Sequence, residues 1–349
     1  MKKLNCITFK IKHIYLFIAA FALQGCLFGQ IMYYFNFQDE TVALRLATDG
    51  DFLYRSKPFR NTSSLSFQIE KINLNTGVSE TILGGSTSGQ TDGVGTSALF
   101  SSITDIAIVS GASTHKMYIA DKCAIREVNL ETLQVNTIAG VYNTCSSVDG
   151  IGTAARFNTI AAILEKNNSL YVADFGALRV INLSTYEVTT IAGDSYGNDV
   201  DNVGLNASFN IIGGMTFIEN TIYFLDSSSR LKKINLDNLT VSTVFGSPNL
   251  SGVTIPSIDG DFSTATLQID KRNDLTSDSH GVLFFTEPYK IRKVILKTGQ
   301  VSTVLNSSDM IEDIVSNQIS TSEVYYPTGL HFTKNGLYIT NFYNVRRMY

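Results

Sequence analysis

Reduced to apolar and polar positions, the chain breaks into runs of about five residues divided by Gly, Asn, Asp and Ser. Four kinds of run recur in fixed order. The first is short and apolar: "DIAIV" (105–109), "GMTFI" (214–218), "GLHF" (329–332). The second is apolar-aromatic and closes on a polar residue, as in "MYIAD", "LYVAD", "IYFLD", "LFFTE" and "LYITN". The third carries Lys or Arg: "IEKINL", "IREVNL", "LRVINL", "LKKINL", "IRKVIL". The fourth reads "SETILG", "VNTIAG", "VTTIAG", "VSTVFG" or "VSTVLN". Short runs rich in β-branched and aromatic residues, bounded by turn formers, predict strands.

The polar residue closing the second run falls at Asp121, Asp174, Asp226, Glu287 and Asn341, at intervals of 52 to 61 residues. Four short strands per interval describe one antiparallel sheet per repeat. A lone sheet leaves a face bare, whereas sheets stacked around an axis bury both. The second runs are continuously apolar, as a sheet packed on both faces requires. A β-sandwich gives no reason for such a period, and a β-helix needs a shorter coil. The pattern therefore predicts an all-β, six-bladed β-propeller of four-stranded antiparallel blades over residues 42–349. Its second strands begin near Phe52, Met117, Leu170, Ile222, Leu283 and Leu337. The sixth unit stops at "NVRRMY" without a fourth strand. An unpaired edge is a liability, so "IMYYFNF" (31–37) is expected to close the ring there.

A second motif follows the fourth run: "DGVGTSALF" (92–100), "DGIGTAARF" (149–157), "DNVGLNASF" (201–209), "DGDFSTATL" (259–267). Asp and Gly suit a tight turn. The Ala-x-Phe pair puts a small residue and a plug on one side of an extended segment. The loops before it vary freely, so rigid scaffold stands beside variable surface.

With these motifs the chain resembles the NHL-repeat family of six-bladed propellers, in its bacterial "TIAG…DGxGxxAxF…LYVAD…IR" form. The resemblance spans roughly residues 42–349 and is clearest over 117–246. It departs at "TEPYKIRKV" (286–294), where Glu replaces Asp. It departs again in the first unit, where "FLYRS" ends at Ser56 and a longer segment precedes "IEKINL". These two blades are expected to be irregular. Propellers of similar shape include lyases and lactonases with a metal in the axial channel, and no residue here matches their ligands.

The N-terminus carries Lys2, Lys3, Lys10 and Lys12, then an apolar run from Ile14 to Leu23, then Gly25-Cys26. This reads as a lipoprotein-type signal over residues 1–25, with Cys26 as the lipid attachment and 26–41 as tether. Gln24 departs from the small residue usual in a lipobox. The rival reading is an uncleaved anchor, since residues 14–35 just reach the ~20 residues a spanning helix needs. Both place the chain outside the cytoplasm, on a bacterial membrane or surface.

Composition changes little. Of 349 residues 44% are hydrophobic and 17% charged, with a net charge of −4. No basic stripe speaks for nucleic acid. Four His residues (13, 115, 280 and 331) fall in no metal-ligand spacing, and no nucleophile motif or phosphate loop is present. The acidic loop "DSYGNDVDN" (194–202) lacks the spacing of an EF-hand. Neither metal nor cofactor is expected.

The repeated couples Asp121/Arg126, Asp174/Arg179, Asp226/Arg230, Glu287/Arg292 and Asn341/Arg346 read as scaffold, because a site is normally made where repeats differ. Cys123 and Cys145 are an even pair in an exported chain, on loops of one face, so a disulfide and two free thiols both remain open. The expected function is a non-catalytic binding module for an envelope or extracellular protein, peptide or glycan. Its face would be the loops carrying Tyr142, then Asp194, Tyr196 and Asp199, then Pro248 and Asn249. The alternative is a propeller enzyme of lyase or lactonase type, with its site in the central channel.

Overall fold

In the computed structural model the chain forms two compact units, Met1–Thr41 and Val42–Tyr349. The structure describes residues 10–11, 14–15, 45–60, 65–109, 115–195, 199–247, 256–269, 272–306, 310–313, 318–321, 327–340 and 345–348. In the first unit Lys10–Ile11 pairs antiparallel with Ile14–Tyr15. Among the described residues no helix is long and apolar enough to cross a membrane. Cys26 and residues 31–37 lie outside the described residues.

The second unit is a six-bladed β-propeller, each blade one antiparallel sheet. Blade two shows the plan. From the axis outward run Ile103–Val109, Lys116–Asp121, Ala124–Asn129 and Gln134–Gly140, each paired with the next. Blade three repeats it with Ile160–Lys166, Ser169–Asp174, Gly176–Asn182 and Glu187–Ser195. Innermost strands touch their neighbours all round the ring, and blade six meets blade one. That last seam is packed by Leu46, Leu53 and Ile72 against Tyr338 and Val345.

The Asp-Gly motif does more than turn the chain. Gly93–Val94, Gly150–Ile151 and Gly260–Asp261 each pair outside the fourth strand of the blade that follows, as two-residue fifth strands. Such stubs blunt the outer edges. The Ala-x-Phe pairs are core: Ala98, Phe100, Ala155, Phe157, Ala207 and Phe209 are all buried. The Gly ending "TIAG" has a steric cause. Gly140 has φ +81, and a Cβ there would strike the Cys123 carbonyl oxygen.

Blade one departs as expected, though not by a loop. Its second and third strands, Phe52–Arg60 and Leu65–Asn73, run on as one long hairpin past Ser56, with Arg60 facing Leu65.

Blade six differs from the sequence reading. Its strands Gly329–Thr333, Gly336–Thr340 and Val345–Met348 are completed by Met310–Asp313, which is followed outward by Gln318–Thr321. Both edges of Val345–Met348 are therefore taken, and the place expected for residues 31–37 is filled by the segment after blade five. "MIED" and "QIST" are short and carry no apolar alternation, so periodicity does not reveal them.

Candidate functional site

The repeated ion pairs come first, because they separate scaffold from site. Arg126 bonds Asp121 at 3.0 Å from one nitrogen and Asp92 of the Asp-Gly turn at 2.7 Å from the other. Asp92 also accepts from the amide and hydroxyl of Thr137 on the fourth strand. Arg179 repeats this with Asp174, Asp149 and Thr190, and Arg292 with Glu287, Asp259 and Thr303. Asp121 in turn accepts the Ser101 and Ser102 amides, and Asp174 those of Asn158 and Thr159. Each cluster thus ties the entering turn, the second strand and both outer strands of one blade. Arg126 lies over the Phe100 ring at 5.2 Å and Arg179 over Phe157 at 4.8 Å, so the plug of the second motif is the floor under the guanidinium.

Burial pushes the carboxyls of Asp121 and Asp174 up, against the opposing pull of the amides and the arginines. At Asp149 the Thr190 amide and Arg179 outweigh its slighter burial and hold the carboxyl below its ordinary range.

Blade four corrects one expected couple. Arg230 pairs with Asp199, not with Asp226. The buried cation of this blade is Lys232, which contacts Asp199 and lies 2.7 Å from Asp201. The register explains it: Lys232 faces Thr243 as Arg126 faces Thr137 and Arg179 faces Thr190. In blade one the same position, facing Thr81, carries Glu70 with Arg55 as its partner. Asn341 lies outside the described residues.

Of the loop residues, the structure assembles one corner. Cys123 and Cys145 are joined as a disulfide, their Cα atoms 5.4 Å apart. Beside it Lys122 donates to the Asn143 side chain at 2.8 Å and stands 5.0 Å over the ring of Tyr142, which stays exposed. Ser146 and Val148 tie the rest of this loop back to Phe157 and Arg156 by backbone hydrogen bonds. Asp199 is spent on Arg230 and Lys232. Asp194 sits in the fourth strand of blade three by its backbone, and Tyr196, Pro248 and Asn249 lie outside the described residues.

The axis holds a group that the sequence reading missed. Arg45, 1% exposed, enters from blade one. Its guanidinium bonds Asp274 of blade five at 3.1 Å, the Thr328 carbonyl of blade six at 3.1 Å and the Thr104 carbonyl of blade two at 3.0 Å. Asp274 accepts the Leu275 and Leu330 amides, and Asp105 those of Ile106 and Ile163. Each aspartate therefore caps the inner strand of the next blade. His331 lies near Asp274, and burial pulls its imidazole down, so it is neutral at pH 7. Burial pushes the Asp105 carboxyl up to about 7, with Arg45 pulling it down and Asp274 adding to the rise. A signal was present. Asp105 faces Ala120 where Ala162 faces Ala173 and Gly329 faces Thr340, so an acid stands where other repeats keep a small residue. Among the described residues no three His, Cys, Asp or Glu side chains converge as a metal-binding group.

No family model matches the chain, and no curated protein matches it. Solved structures do. An auxiliary nutrient binding protein from Bacteroides thetaiotaomicron is similar at 12% identity over 88% of this chain and 68% of that one, with a TM-score of 0.57. A gluconolactonase from Xanthomonas campestris is similar at 10% identity over 88% and 94%, with a TM-score of 0.49. A chain of the nidogen/laminin complex shows 10% identity over 86% and 85%, with a TM-score of 0.48. At 12% identity the first likeness carries the fold, a β-propeller.

Proposed function

We propose that this protein is an exported, lipid-anchored propeller of the NHL-repeat type, and that it binds a protein, peptide or glycan without catalysis through the loops of one face. The observation that carries this reading is the corner around Tyr142. An exposed ring is held by a disulfide, a lysine and backbone hydrogen bonds on a loop whose length and chemistry differ from blade to blade. Preorganised aromatics on a rigid scaffold make contact area at low entropic cost. The Bacteroides protein of like fold is described as nutrient-binding, a function of the same kind.

The axial group speaks for the same reading. The Arg45 guanidinium and the Asp105 and Asp274 carboxylates all point their polar atoms at backbone or at each other, which is the work of a ring clamp.

The test replaces 141–148, 194–200 and 247–258 with short Gly-Ser connections and reads capture of partners from envelope extracts together with a glycan array. Loss of all capture is expected with the β-sheet dichroism and cooperative unfolding of the propeller retained, at a lower melting temperature because the change also removes Cys145 and Asp199. Surviving capture, or turnover of a substrate that depends on Asp105 or His331, overturns the reading. The anchor is tested separately. Cys26→Ala should abolish lipid labelling and move the chain out of the membrane fraction, and unchanged partition rules the anchor out.

A further inference from the structure

Among the described residues the seam between blades five and six is one of two thinly packed ones, the other being that between blades six and one. Among these residues the five–six seam buries five apolar side chains, against fifteen between blades two and three. Phe284, Val304, Phe332 and Met348 belong to its packing but stay only partly buried. Between them lies a cavity of about 650 Å³, within the range of ligand pockets.

Its wall chemistry follows from single positions in the repeat. Phe284 faces Lys293 across its hairpin, at the register where Tyr118 faces Glu127 in blade two. In blade two that place is closed by polar bonds: the Tyr118 hydroxyl and the Lys116 ammonium both reach Glu127. In blade five the hydroxyl and the carboxylate are both gone. A bare ring and a cation replace them. Phe284 stacks on Phe332 of blade six, centroids 5.4 Å apart and planes 7° apart, which makes a flat apolar floor. Lys293 stands on the blade-five side of the cavity and Lys334 on the blade-six side, with Arg347 on the same wall, and among the described residues no acid lines it.

The geometry points to a binding site for a single-chain anionic amphiphile, one carboxylate head on an apolar tail. The cations select against a neutral tail, because a carboxylate held by ammonium groups in a partly desolvated slot gains charge-assisted hydrogen bonds. The apolar floor selects against a bare inorganic anion, which would gain nothing from covering it. The site is a slot between two sheet faces, so it accepts one chain rather than the plane of a bilayer. Its walls are faces and offer no free sheet edge to which a peptide backbone would add. This site is independent of the loop face, which lies at the ends of other strands.

Dodecanoate, titrated below its micelle-forming concentration into the full chain and followed by calorimetry, tests the assignment. One-to-one saturable binding is expected, with dodecanol on the order of tenfold weaker or more. The double variant K293E/K334E, both side chains lacking any role in the core, should weaken dodecanoate by a similar factor at an unchanged melting temperature. Val304→Trp fills the slot and should abolish binding while leaving both lysines in place; if it does not fold, K293E/K334E alone decides. Absence of saturable binding overturns the site. So does equal affinity for dodecanol, insensitivity to the charge reversal, or binding to anionic phospholipid vesicles without binding to free dodecanoate.

Discussion

At the scale of single residues, stability concentrates on buried charges. Arg179 and Asp174 have fully buried side chains, while Asp149 is 45% exposed. Arg179→Met leaves the Asp174 carboxylate buried without its cation, which should cost about 3–5 kcal/mol. Asp149→Asn breaks a pair open to solvent and should cost about 1 kcal/mol or less. Urea unfolding of the two variants checks both. A similar loss for each would mean that burial does not set the difference. These couples were legible in the sequence because repetition exposes them. What repetition hid was the blade-four exception, since Arg230 mimics its counterparts in type while Lys232 holds the buried register.

Asp105 supplies the pH dependence at the same scale. Its carboxyl is raised from the ordinary carboxylate value to about 7 in the folded chain. Between these values the native state holds a proton that the unfolded chain has released, so stability falls as pH rises through this window and levels off above it. One proton bounds the slope at about 1.4 kcal/mol per pH unit. Asp105→Asn should flatten the decline between pH 5 and 7. An unaltered slope in the variant would show that another group carries it.

At the scale of elements, the outer strand of blade six and the pinned loop are the parts to test. Replacing residues 310–321 by Gly-Ser of equal length removes the partner of Val345–Met348 and bares its edge. The melting temperature should drop, and light scattering should show association that grows with concentration. A monomeric variant with the parent's melting curve would mean that this strand is dispensable for closure. The disulfide closes a separation of 22 residues, a loop for which chain entropy gives roughly 3 kcal/mol. Thiol labelling of the denatured, unreduced protein should mark neither Cys123 nor Cys145. Labelling of both would remove the bridge and with it the anchoring of Tyr142. Blades two to four were legible as elements because their strands carry apolar runs at an even spacing. Met310–Asp313 was not, because four residues of mixed polarity set up no period.

At the scale of the whole molecule, one side chain binds the ring across its axis. Arg45 leaves blade one and reaches blades two, five and six. Nothing in the sequence around it marks it, because it stands outside the four repeated runs and its partners lie 59 to 283 residues away. Pairwise packing joins each blade only to its two neighbours, whereas this clamp adds a bond across the centre. Its loss should therefore act on the ring as a unit. Arg45→Met keeps the apolar bulk but leaves Asp274 without its cation and two carbonyls without their donor. The cost should be about 3–5 kcal/mol. The chain has 16 Tyr and no Trp, so tyrosine fluorescence and far-ultraviolet dichroism can follow urea unfolding as separate probes. The parent is expected to unfold with both probes coincident. In Arg45→Met the midpoint should fall, and the two curves should separate as blades one and six open before the rest. Coincident curves at the parent's midpoint would show that packing alone holds the ring.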